Sequence, residues 1–183
     1  MRLRNMLKRA IGLAMLALAW PVCAHEASPE EVRASYILKM RPFLLFGEEN
    51  RHFQTICYYE KPYTPPAESV GQIIASVTTQ HADTYPDITT RAFGAVGDFS
   101  GCDVLYIPAE QDSNLDTILA ALDGASTLTF SNVPRFIFRG GMIGFMLDDA
   151  NRVKMAANVK NMRAKGVHVD SQILELMPQV TGQ

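Results

Sequence analysis

No apolar run in the sequence is long enough to cross a bilayer, basic residues do not outnumber acidic ones, and cysteine is scarce. The run "AIGLAMLALAW" at positions 10–20 extends roughly 16 Å as a helix, against a hydrocarbon core of about 30 Å. With 17 Lys and Arg against 19 Asp and Glu there is no basic stripe, which argues against nucleic-acid binding. Three cysteines without a Cys-x-x-Cys spacing exclude a catalytic dithiol. The histidines, His25, His52, His81 and His168, are scattered, with no His-Glu-x-x-His run and no metal-ligand spacing. There is no Gly-x-Ser-x-Gly nucleophile elbow either. Nothing in these absences points to an enzyme, a cofactor or a nucleic-acid partner.

What is present begins at the N-terminus. "MRLRNMLKR" is basic, the apolar run follows, and "PVCA" places Val22 and Ala24 at the −3 and −1 positions of a cleavage site. This is the layout of a secretory signal peptide, residues 1–24, removed after Ala24; the alternative is a retained membrane anchor. Cys23 follows Trp20, Pro21 and Val22, which do not suit a lipoprotein cleavage site. Residues 25–183 then form one domain of 159 residues with 13 basic and 19 acidic side chains, a net charge of −6. Only Cys57 and Cys102 remain, an even number in an oxidising compartment, which suggests one disulfide; two separate buried thiols are the alternative.

The mature chain opens on helix punctuation. Ser28 suits the N-cap, Pro29 the first helical position and Glu31 the capping box, with Val32, Tyr36, Ile37, Met40 and Leu44 on the apolar side. Pro42 ends or kinks this helix. "HFQTICYY" reads as a strand carrying Cys57, and Val70, Ile73, Ile74 and Val77 mark one face of a helix. "DITTRAF" and "CDVLYI" are strands, Leu115, Ile118, Leu119 and Leu122 have helical spacing before Gly124, and "STLTF" is a further strand. Strand–helix–strand twice over predicts an α/β class: a single-domain mixed sheet flanked by helices, with a C-terminal β-hairpin and short terminal helices.

That hairpin lies in "FRGGMIGFMLDDANRVKMAANV", residues 138–159. Gly140, Gly141 and Gly144 invite comparison with a phosphate loop, but such a loop joins a strand to a helix and ends on Lys-Ser or Lys-Thr. Here "DDAN" is turn chemistry between two strand-length segments, so the glycines serve unusual backbone angles or close approach. Asp148 and Asp149 read as solvated turn residues rather than an acid/base pair. "NVKNMRAKG" is a helix facing inward through Val159 and Met162. Asp170 or Ser171 then caps a last short helix, "QILELM", stopped by Pro178.

"CDVLYI", "STLTF", the glycine-rich hairpin with its following asparagine, and "RAKGVHVDSQILEL" occur in an order that resembles the YfiR-like family of exported proteins. "EEVRASYILKM" is similar to that family's first helix, and Cys57 and Cys102 match the pair linking its first and middle strands. The chain departs from the family in having "LLFGEEN" where a Trp-Pro pair often stands, and in lacking a second cysteine pair around the hairpin. The resemblance implies a non-enzymatic periplasmic repressor. Such a protein binds the periplasmic domain of an inner-membrane diguanylate cyclase and lowers cyclic-di-GMP, and an outer-membrane lipoprotein can sequester it. A homodimer is left open.

For such a regulator the tail offers a candidate contact surface, Ile173, Leu174, Leu176 and Met177, with Arg139 at the hairpin entrance as a weaker candidate. Ile173, Leu174 and Met177 suit docking onto the sheet, which leaves Leu176 for a partner. Two other readings compete: a small-ligand module using a crevice at the strand C-termini, and a copper protein. In the latter, the amine and imidazole of an N-terminal His25 would chelate Cu(II) with His52, His81 or His168. A Cu(II) titration of the mature chain separates this last reading: tight binding supports it, and its absence removes it.

Overall fold

The structure is a computed structural model that describes residues 26–60 and 65–182. The proposed signal peptide, Cys23 and His25 lie outside these residues, as does part of the loop before Pro65. Helix α1 (Pro29–Lys39) starts as the capping box requires: Glu31 N–H donates to Ser28 Oγ at 3.1 Å, and Ser28 N–H donates to Glu31 Oε2 at 2.7 Å. Pro42 ends it by tightening the chain into a 3-10 turn, Arg41–Phe43. The short strand β1 (Leu44–Phe46) follows, then β2 (Thr55–Tyr59), α2 (Val70–Gln80), β3 (Thr89–Phe93), β4 (Val104–Ile107), α3 (Leu115–Ala121) and β5 (Leu128–Ser131). After a 3-10 turn at Phe136–Arg139 come the hairpin strands β6 (Ile143–Leu147) and β7 (Val153–Asn158). The chain closes with α4 (Val159–Ala164), β8 (Val167–Val169), α5 (Ser171–Leu174) and β9 (Gln179–Thr181).

Seven strands form one sheet in the order β3–β2–β4–β5–β6–β7–β9. It is parallel from β3 to β6, antiparallel between β6 and β7, and parallel again between β7 and β9. Every residue of β4 and β5 is buried, because both faces of the sheet are covered. On one face Ile37 and Leu38 of α1 and Ile74 of α2 pack with Val104, Tyr106, Phe130 and Phe145. On the other, Leu115 and Ile118 of α3 pack with Leu105, Ile107, Leu122 and Phe136. The α/β class and mixed sheet read from the sequence are the ones observed.

The hairpin glycines act as spacing devices. Gly140 has φ +101°, a conformation that closes the 3-10 turn and that side chains resist. A Cβ on Gly141 would fall 2.3 Å from the Phe136 ring, so only glycine lets the chain pass it. Asn158, the last residue of β7, secures the same region: its Nδ2 donates to the Ile137 carbonyl at 2.9 Å while its Oδ1 accepts from Asn161 N–H at 3.1 Å. That double role accounts for an asparagine at the junction of hairpin and helix.

Three short strands were not expected. β1 pairs antiparallel with β8, Leu45 opposite His168, and β9 extends the sheet beyond β7. Each has three residues, too few to show alternation, and each exists through a partner distant in sequence.

Cys57 and Cys102 are joined, with Cα atoms 5.8 Å apart and a sequence separation of 45. The next residue, Asp103, organises the start of β2. Its carboxylate accepts from Gln54 N–H at 2.8 Å, Thr55 N–H at 3.0 Å and Arg51 Nη2 at 2.5 Å. Cys102 and Asp103 also hold β5, because Thr127 Oγ1 donates to the Cys102 carbonyl at 2.7 Å and Leu128 N–H donates to the Asp103 carbonyl at 2.8 Å. Burial opposes ionisation of Asp103, but the Arg51 bond and the two backbone N–H groups outweigh it and hold the pKa below the ordinary carboxylate value.

Removing both cysteines, Cys57→Ala with Cys102→Ala, is expected to cost about 4 kcal/mol and to lower Tm by about 10 °C. An unchanged urea transition would contradict this. Asp103→Asn should destabilise the protein by roughly 2 kcal/mol at pH 7. Because the folded pKa is depressed, that contribution is present above the unfolded value near 4 and lost as pH falls through the folded pKa. Wild type and variant should therefore converge in acid; a gap independent of pH would rule out this role.

Candidate partner-binding surface

The tail is assembled by capping and by sheet extension. Asp170 caps α5 by accepting from Gln172 N–H at 2.8 Å, and its own N–H donates to the Phe43 carbonyl at 3.0 Å. Beyond α5, β9 pairs with β7 so that Gln179 faces Ala156 in parallel register. The residues just before Gln179 thus lie toward Lys154 and Val153, the end of β7 that joins the hairpin turn. Ile173 and Met177 are buried in the main core, and Leu174 packs partly against it. Leu176 points away and is 71 % exposed.

Leu176 is not isolated. It shares a shallow groove of about 450 Å³ with Met146 and Leu147 at the end of β6, and with Glu175, Lys154 and Pro178. Met146 and Leu147 are adjacent on a strand and so face opposite sides of the sheet. Beyond the covered part of β6 both are left 38 % and 44 % exposed. Phe138, 57 % exposed, lies on a neighbouring cavity wall together with Met146 and Leu147. The result is an apolar strip along one end of the sheet, from Phe138 through the β6 end to Leu176.

Charges frame this strip. Asp148 accepts from Arg152 Nε at 2.8 Å and from the N–H groups of Ala150 and Arg152 at 3.0 and 2.9 Å. The Arg152 side chain, followed by the turn N–H groups, holds the Asp148 carboxyl below its usual pKa. Asp148 is thereby the ligand of its own turn. Lys154 reaches the same carboxylate at 3.9 Å.

Arg139 belongs elsewhere. Its guanidinium donates to Asp112 and, at 3.4 Å, to Asp116, which ties the 3-10 turn to the start of α3. His52 Nδ1 lies 3.3 Å from the Leu44 carbonyl, and His168 stands on β8 opposite Leu45. Among the described residues no group of three or more His, Cys, Asp and Glu is placed to hold a metal ion, and no helix is long and apolar enough to cross a membrane.

Reading the sequence alone missed Phe138, Met146 and Leu147. The signal was the apolar pair running directly into the turn residues "DDAN", since adjacent strand residues cannot both face one core.

Solved structures share this fold at low identity, among them the following two. A conserved domain protein from Vibrio cholerae O1 biovar El Tor matches with TM-score 0.57 and 13 % identity, over 84 % of this chain and 60 % of that one. The ABC domain in complex with L-Trp from Streptococcus pneumonia matches with TM-score 0.54 and 12 % identity, over the same shares of each chain. This chain thus spans three fifths of the length of either structure. A search of curated proteins gives no match. Residues 30–177, which run from the first turn of α1 to the buried Met177, match the YfiR/HmsC-like family. The chain belongs to that family, whose members are periplasmic regulators of diguanylate cyclases.

Proposed function

We propose that the protein is exported, with its signal peptide removed after Ala24, and represses a membrane-bound diguanylate cyclase by binding the cyclase's periplasmic sensor domain. Cyclic-di-GMP then falls, and biofilm formation falls with it. An outer-membrane lipoprotein that sequesters the repressor would relieve the block. Family membership supports this reading, and the exposure of Leu176 carries it to particular residues. The short helix α5 buries Ile173 beneath it, and the turn that follows presents the large apolar side chain of Leu176 to solvent beside two others on β6. Contiguous exposed apolar surface on a soluble domain marks an interaction site. Leu176, Met146, Leu147 and Phe138 are the proposed contacts, while Ile173, Leu174 and Met177 hold the tail in place. Arg139 acts at a distance by fixing the turn that carries Phe138.

Leu176→Asp tests the proposal. Substitution of an exposed side chain should change folding stability by no more than about 0.5 kcal/mol. Burying the new carboxylate in the complex should weaken binding at least roughly tenfold and raise cellular cyclic-di-GMP. A folded Leu176→Asp protein that represses as well as wild type would remove this surface from the account.

A further inference from the structure

A second cavity, of about 370 Å³, opens where β5 ends and β6 runs on past it. Phe136, Ile137, Phe145 and Ala156 line it, so most of its wall is apolar. Into this wall α1 brings a charge: Arg33 is only 6 % exposed. Its Nη1 donates to Glu30 Oε1 at 2.6 Å, and its Nε is buried without a hydrogen-bond partner. A buried guanidinium with an unmet N–H is costly, and nothing in the fold's packing requires a cation there. Tyr106, at the end of β4, donates to Asn132 Oδ1 at 3.2 Å, and Asn132 lines the same cavity. On the rim stands Arg135, exposed and left-handed at φ +59°.

Glu30 occupies one arm of the Arg33 guanidinium, and the Nε–Nη2 edge remains. That edge offers two parallel N–H groups, the geometry that a carboxylate accepts side by side. The residues lining the cavity include two cations, Arg33 and Arg135, and no carboxylate, so the site favours an anion. The apolar wall and a volume within the roughly 300–1,000 Å³ of small-molecule sites favour a ligand with a compact apolar body. From these features we infer that the cavity binds a small monocarboxylate whose acid group pairs with Arg33 and whose apolar part lies against Phe136 and Phe145. Phe138, Met146 and Leu147 line this cavity and also form the exposed strip, so its occupancy would alter the proposed contact surface. The binding inference itself rests on the cavity and is independent of the repressor reading.

Hexanoate is a suitable probe, with hexanamide as its uncharged counterpart, in thermal melts and calorimetric titrations of the purified protein. Hexanoate at ten times its dissociation constant should raise Tm by about 4 °C, and hexanamide should have no effect. Arg33→Met, which keeps the volume and removes the charge, should abolish the shift, and Arg135→Gln should weaken binding by about threefold. The inference is overturned by no shift at roughly 10 mM hexanoate, by equal binding of the amide, or by a folded Arg33→Met protein that binds like wild type. Should Arg33→Met not fold, unchanged affinity in Arg135→Gln would overturn it equally.

Discussion

The fold depends on a two-residue node, Cys102 and Asp103, at the entrance to β4. One side chain is bonded covalently to β2, the other caps the start of β2, and both carbonyls accept hydrogen bonds from the start of β5. Parallel strands cannot be aligned by a tight turn between them; each pair here is joined through a long crossover. The node supplies the alignment that turns would supply in a hairpin sheet. It fixes the relative registers of β2, β4 and β5, and β6 inherits its position from β5. A disulfide of this kind suits an oxidising compartment, in keeping with a periplasmic family.

Register explains why the proposed contact surface lies at one end of the sheet. β6 pairs with β5 only through Phe130–Ile143 and Ser131–Gly144, so its last three residues continue beyond the parallel strands and stay paired with β7 alone. That overhang leaves Met146 and Leu147 half covered and makes room beside Arg33. The tail returns along β7 and adds Leu176 to the same end. Among the described residues, apolar side chains converge on the strip, and recognition of a protein uses such surface.

Much of this was legible in the sequence because the decisive signals were local. The Ser28–Glu31 capping box, the four apolar positions of α2, the buried run of β4 and the turn residues between β6 and β7 each follow from neighbouring residues. The pairing of Cys57 with Cys102 followed from there being two cysteines left after the expected leader. β1, β8 and β9 were illegible, because three-residue strands are defined by partners far along the chain. Arg33 was hidden for a similar reason: on the helix it reads as a solvated charge at i, i+3 from Glu30, and only the packing of α1 across the β5 end makes it buried. The exposed strip was half legible. Leu176 fell off the docking side of the expected helix by periodicity, although α5 ends at Leu174 and Leu176 stands in the turn after it, while Phe138 required the 3-10 turn to be known.

The central claim is that this exported domain restrains a membrane cyclase. Its most direct test is cellular cyclic-di-GMP in a strain lacking the gene, complemented with either the full-length chain or a form without residues 1–24. The account predicts a rise on deletion that the full-length chain reverses and the leaderless form does not. Unchanged cyclic-di-GMP on deletion, under conditions where the gene is expressed, or equal rescue by the leaderless form, would contradict it.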